Sequence, residues 1–354
     1  MAAHARILLV GSVPLDSAEA VFRLLAAKVG AAAARYPDGE TGERRNWIRW
    51  QRHVFDGAEA LELIEPRRQL PGYSDGLARP FYRVRDGIGP DRIYFERLGF
   101  ADVAIESYGV FRRLKAEGVI PVGTRFQVSV PTVLALLTGF IVKEDRAEVE
   151  PALEDAMRRE IATMVAHIPP QELAVQWDVV MEIVGYDGGY DLHYVDILRQ
   201  SIAGICRHID FVPRDAEVGI HLCYGDPGHK HVLEPKSTKT SVIFCNEICR
   251  AARRRVDWIH LPVPRNRSDA AYVAPLAELT TPGETEIFLG LVHATDGVPG
   301  TRARIRAAEP FLSEFGVATE CGFGRRPPET IPDLLDIHRV AGASLEDDPS
   351  RDTS

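Results

Sequence analysis

Short apolar runs bounded by turn residues alternate along this chain with longer stretches whose apolar positions recur at helical spacing. The runs predict buried strands and the periodic stretches predict amphipathic helices. Strands are expected at ARILLVGS (5–12), RYPDGE (35–40), RFQVSVP (125–131), LAVQWDVV (173–180), EVGIHLCY (217–224), VDWIHLPV (256–263), EIFLGLVHA (286–294) and GVATEC (316–321). Helices are expected at SAEAVFRLLAAKVGAAA, PTVLALLTGFI, EVEPALEDAMRREIATMVAHI, VDILRQSIAGICRHI, TSVIFCNEICRAARRR, TRARIRAAEPFLSEF and ETIPDLLDIHRVAG. Strands alternating with helices mean α/β architecture built from parallel βα units, and eight of them suit a single closed (β/α)8 barrel better than an open doubly wound sheet. No Pro/Gly/Ser-rich linker divides residues 1–343. Residues 50–100 read as an irregular insertion, and the polar stretch 344–354, SLEDDPSRDTS, reads as a disordered tail.

In such barrels the chemistry sits where strands run into the following loops. A polar residue ending an apolar strand is therefore a site candidate. The first strand ends in GSVP, with Ser12, and the second opens on PDGETGERRNW, with Glu40, Arg44 and Arg45. The third ends at Pro131 and Thr132, and the fourth offers Gln176 and Asp178. The remaining four offer His221 with Cys223, His260 with Arg265, His293 with Asp296, and Glu320 with Cys321 and Arg325. Residues i and i+2 of a strand share a face. His221 and Cys223 could thus hold one ion between them, with Cys321 arriving at the same rim; a buried histidine beside a buried cysteine is the plainer alternative. His229 and His231, in DPGHKH, read as a solvated loop, with extra metal ligands or contacts to an anionic substrate as the alternative.

Composition narrows the class. With 354 residues, 45% hydrophobic and 26% charged, the chain can bury a large core, and its net charge of −9 argues against nucleic acid or an anionic membrane as partner. The first apolar run is too short for a leader or a span, so a cytoplasmic location is expected. The five cysteines are odd in number and widely spaced, hence expected to be reduced; Cys206, Cys245 and Cys249 fall on apolar helix faces and read as buried.

These strand ends resemble, in order and nearly end to end, the catalytic half of cobalamin-independent methionine synthase, a family grouped with uroporphyrinogen decarboxylase. GSVP is similar to the family's G-S-[FY]-P, and DGETGERRNWI to H-G-E-x-x-R-x-[DN]-M-V. FQVSVPT, QWDVV, HLCYGD and TECGFGRRP are similar to G-P-x-T, Q-I-D-E-P, H-x-C-Y and [DP]-C-G-L-x-x-R. The resemblance implies zinc held by His221, Cys223 and Cys321. It implies substrate contacts at Glu40 and Asp178, and His293 as a proton carrier; Gln176 and Ser12 are further substrate-contact candidates from their strand-end positions, and Arg44, Arg45 and Arg265 could bind a carboxylate or phosphate through the guanidinium fork. The chemistry implied is transfer of a methyl group between a methyl-folate or methyl-corrinoid donor and a thiol. Zinc suits this because it lowers the pKa of a thiol.

Three departures bear on that expectation. Where the family places a glutamate ligand, this chain has His260, which could be a fourth ligand or a substrate contact. QWDVV keeps Asp178 but has Val179 for the adjoining carboxylate. LVHATDG carries His293 and Asp296 in shifted order, so His293 could equally be a hydrogen-bonded core histidine. Methionine synthesis itself is therefore not expected. The leading expectation is a zinc-dependent methyl- or alkyltransferase acting on a small thiol. Its rivals are a metal-free lyase or decarboxylase using Arg44, Arg265 and Asp178, and a non-catalytic binding protein; a homodimer is left open.

Overall fold

The computed structural model describes residues 7–68, 79–225 and 231–344. His229 and all but the first residue of the expected tail lie outside them. The strands are β1 (Arg35–Pro37), β2 (Leu61–Arg68), β3 (Arg79–Val84), β4 (Arg125–Pro131), β5 (Leu173–Val179), β6 (Glu217–Leu222), β7 (Trp258–Pro262), β8 (Glu286–Val292) and β9 (Gly316–Thr319). The larger helices are α1 (Ala18–Lys28), α2 (Phe100–Ala116), α3 (Val133–Phe140), α4 (Arg146–His167), α5 (Ile197–Phe211), α6 (Lys239–Ala251), α7 (Gly297–Ala308) and α8 (Ile331–Ser344). Seven strands form one parallel sheet in the order β1-β4-β5-β6-β7-β8-β9, each pair joined by a crossover through the helical layer.

The expected first strand is the exception. Ile7 makes a single bridge to Val317 of β9, and no strand ladder continues from it. Leu8 N–H donates to Val317 O (3.0 Å), while Ile7 N–H donates to Ala32 O just ahead of β1 (3.1 Å). The sheet thus curls until both its edges flank this segment. Side chains occupy the carbonyls a ladder would use: Gln127 Nε2 donates to Leu9 O (2.9 Å), and Gln176 Nε2 to Val10 O (2.6 Å). The Leu9 and Val10 carbonyls are thus satisfied by side chains rather than by strand pairing.

The 50–100 stretch is more regular than its composition suggests, since β2 and β3 pair antiparallel within it. Tyr82 from β3 packs in the core against Phe55, at a centroid distance of 5.7 Å.

Alternation along the strands sorts the core into two layers. Leu8, Val10, Ala174, Trp258, Phe288 and Ala318 form a small cluster inside the curl, and a far larger cluster lies between sheet and helices. The interior closes at the strand starts on Arg35, which pairs with Glu217 (2.6 Å) and Glu286 (2.7 Å) while its guanidinium covers the Trp258 ring at 4.2 Å. Both carboxylates keep this buried guanidinium charged despite desolvation. The strand ends at the opposite mouth are left to polar residues. No described helix is long and apolar enough to cross a membrane.

Candidate functional site

Strand register sets the site out as a row. Pro131 of β4 aligns with Asp178 of β5, Asp178 with His221 of β6, and His221 with His260 of β7. Inward parity then carries on to Cys223, one step past His221 on the same face. From β9 the chain delivers Cys321. The ligand atoms of His221, Cys223 and Cys321 lie within 4.8 Å of one another, and no other such group occurs among the described residues.

The two sulfurs stand 3.9 Å apart. That is too far for a disulfide, and all five cysteines are free. Two thiolates at 2.3 Å from one tetrahedral zinc would stand about 3.8 Å apart. The guanidinium of Arg325 lies 3.9 Å from Cys321 Sγ, and Gly225 N–H points at Cys223 Sγ from 3.3 Å. Both place a donor N–H at a sulfur.

His260 does not join this group. Its Nε2 lies 3.0 Å from Thr319 O and its Nδ1 2.8 Å from Nδ1 of His221. A carbonyl only accepts, so a neutral His260 donates from Nε2 and accepts at Nδ1. His221 must then donate from its own Nδ1, which leaves Nε2 with the lone pair a metal needs. Burial holds both rings neutral, depressing His221 well below its usual range and His260 to about 4. His260 thus stands outside the His221, Cys223 and Cys321 group, with one ring nitrogen on Thr319 O and the other on His221.

Asp178 and Glu40 approach the cluster from the other side. Glu40 has left-handed backbone at φ 46°, a strained state for a residue with a side chain. Its N–H donates to Asp38 Oδ1 (2.8 Å), and Arg44 pairs with the same Asp38 at 2.8 Å. Its carboxylate lies against Gly11, where a Cβ would stand 2.4 Å from Oε1. Desolvation, then the charges of Asp178 and Asp38, raise the Glu40 carboxyl well above its usual range. Burial, with the Cys321 sulfur adding to it, pushes Asp178 up to about 8, against the pull of donors on Gln176 and Trp47.

Other expected contacts hold the site together from behind. Gln176 is fully buried and donates to Asp178 Oδ1 at 3.1 Å. Ser12 accepts from Gly324 N–H at 3.2 Å, and its carbonyl accepts from Phe323 N–H at 2.6 Å, fastening the first segment to the loop after β9. Arg265 is exposed beyond β7, and its carbonyl accepts from Arg304. Arg44 is committed to Asp38. His293 donates from Nε2 to Val263 O (2.9 Å), and its Nδ1 faces Glu320 at 3.7 Å; burial, with the charge of Arg304, lowers it to about 3. Asp296 forms a two-pronged pair with Arg304 (2.6 and 2.8 Å). Cys245 is buried in α6, its thiol pushed well up by desolvation; burial also raises Cys206 and Cys249 to about 11.

Trp47 was not among the expected contacts. Its backbone is strained, with φ 57° and ψ −122°, and its side chain hydrogen-bonds Asp178. An apolar ring amid PDGETGERRN was the available signal. Trp47→Phe keeps the ring and removes the N–H donor. A hydrogen bond to a charged group contributes about 1.5–3 kcal/mol, so the Asp178 pKa is expected to rise by about one unit or more. A carbon NMR titration of the labelled carboxyl in chelator-treated protein reads this; an unchanged or lowered value would refute the assigned contact.

No family model and no curated protein matches the chain. Among solved structures, it is similar to one from Listeria monocytogenes named "Putative Vitamin-B12 Independent Methionine Synthase". The two share 17% identity over 93% of this chain and 86% of that one, with a TM-score of 0.56. The likeness shows a common TIM-barrel-like fold.

Proposed function

We propose that the protein is a zinc-dependent transferase that moves a methyl or other small alkyl group to or from a thiol, on a barrel whose eighth position is filled by the segment from Ile7 to Val10. The observation that carries this reading is the convergence of His221, Cys223 and Cys321 within 4.8 Å, at a sulfur spacing suited to one tetrahedral ion. Three protein ligands leave a coordination position open, as catalytic zinc sites require. Bound there, zinc would supply the acidity that makes a substrate thiol a thiolate at neutral pH.

The chain's own residues would supply the rest. His260 orients His221, and Arg325 supports the Cys321 thiolate. Asp178 and Glu40, uneasy neighbours in a desolvated setting, suit a substrate that brings a cationic group between them. Trp47 and Gln176 aim Asp178 at that position. The similarity in fold to a protein named as a methionine synthase supports a transferase of this kind, while the His260 and Val179 departures point to a thiol other than the methionine precursor. The pairing of Arg44 with Asp38 favours this over the metal-free lyase.

The test is elemental analysis of protein purified under reducing, metal-replete conditions, beside thiol-methylation assays with methyl-folate and methyl-corrinoid donors. About one zinc per chain, and turnover abolished by chelation and restored by zinc, is expected. Absence of zinc, or activity that survives exhaustive chelation, would end this reading.

A further inference from the structure

The two cysteines lie on loops that follow β6 and β9, and β7 and β8 stand between those strands. Strand pairing alone therefore leaves their sulfur spacing open. One ion pair links the loops directly. His231 comes back to β6 beside Val232, whose N–H donates to Tyr224 O (2.9 Å), so the imidazole is tied to the residue next to Cys223. Its ring meets the Tyr224 ring edge-on at 6.2 Å, and the Tyr224 hydroxyl donates to Asp187 at 2.8 Å. Nε2 of His231 lies 2.7 Å from Glu320 Oε1, with only 9% of the imidazole exposed. Glu320 directly precedes Cys321.

We infer that His231 is a positioning residue: through Glu320 it latches the loop of Cys223 to the loop of Cys321 and sets the distance between the two sulfurs. Its value to the reaction rests on the metal reading above, but the latch itself is a statement about two thiols. Burial opposes charge on His231, yet the neighbouring carboxylates of Glu320 and Glu234 outweigh it and hold the imidazole up to about 9, so the contact with Glu320 is an ion pair at neutral pH. Glu234 adds a weaker contact at 3.2 Å from the solvent side. A partly buried ion pair orders its partners more than an exposed one does.

The latch is tested on metal-free full-length protein, wild type, His231→Ala and His231→Gln, equilibrated with oxidised and reduced glutathione. One oxidised glutathione takes two electrons from the Cys223 and Cys321 thiols, giving a protein disulfide and two reduced glutathione molecules. The equilibrium ratio, read by peptide mass mapping, reports the effective concentration of one thiol at the other. It is expected to fall at least tenfold in His231→Ala and to recover in large part in His231→Gln, whose amide can donate to Glu320. Zinc affinity, from competition with a chromogenic chelator, should fall and recover in the same order. A wild-type ratio in His231→Ala overturns the latch. Should His231→Ala fail to fold, the Gln variant decides: a ratio as low as that of Glu320→Ala refutes donation to Glu320 as the link. If wild type takes up no zinc while the thiol ratio still falls in the variant, the latch stands and the metal reading fails.

Discussion

Replacing Cys223 by serine is expected to weaken zinc binding by roughly 10²–10³-fold and leave the fold intact. Apparent zinc binding energies of about 10–16 kcal/mol over four ligands put one thiolate near 3–4 kcal/mol, and each ~1.4 kcal/mol is a factor of ten. Serine keeps the shape of a residue that is 3% exposed, but its hydroxyl is not ionised and is a poor ligand beside a thiolate. Cys321→Ser should lose zinc on the same scale. Cys245→Ser should not, because that thiol lies in α6 with its pKa pushed well up by burial. His260→Ala is the discriminating companion. As a support for His221 rather than a ligand, it should weaken binding only about 10–100-fold. Elemental analysis, chelator competition and circular dichroism on the four variants separate these outcomes. Wild-type affinity in both Cys223→Ser and Cys321→Ser would remove the metal centre from consideration.

That the cluster could be seen before the fold rests on two rules, the two-residue parity of strands for His221 and Cys223 and the gathering of strand ends at one rim for Cys321. The first put Gln176 with Asp178 and His221 with Cys223, and the register that aligns Asp178, His221 and His260 follows from parallel strands of similar length. Parity says which way a side chain points and nothing of what it meets. His260 points inward as expected, but Gly290 leaves room for its ring: a Cβ there would stand 3.2 Å from His260 Nε2 and 2.9 Å from Glu320 Cα. With Thr319 O within reach, the ring is used up in hydrogen bonds. The first segment failed as a strand for a comparable reason, since side chains of Gln127 and Gln176 take its carbonyls, and apolar patterning cannot show that. Trp47 and the His231–Glu320 pair depend on contacts between loops distant in sequence, for which periodicity carries no signal.

In chelator-treated protein, the contribution of Asp178 to stability is expected to fall as pH rises from about 4 to 8, opposite in sign to that of the buried neutral histidines, and Asp178→Asn should remove it. The carboxyl of Asp178 is held up to about 8 in the folded chain, first by desolvation, against an ordinary value of 3.8. Between those values the unfolded chain has lost this proton and the folded chain has kept it. At this group the folded state then binds more protons, so its share of the free energy of unfolding decreases with pH and levels off once both states are ionised. Glu40, also raised by burial and by Asp178, acts with the same sign. Since one unit of pKa difference corresponds to ~1.4 kcal/mol, the stability of Asp178→Asn relative to wild type should improve by on the order of 2 kcal/mol or more on going from pH 5 to pH 8. Urea unfolding at the two pH values measures this, and an equal difference at both would show that Asp178 ionises freely. The same instability has a functional side. A ligand that places a cation between Asp178 and Glu40 would let both ionise in place, so its stabilisation of the folded protein should be larger at pH 8 in wild type than in Asp178→Asn, and the carboxylate pair that strains the metal-free chain would become the part of the site that selects its substrate.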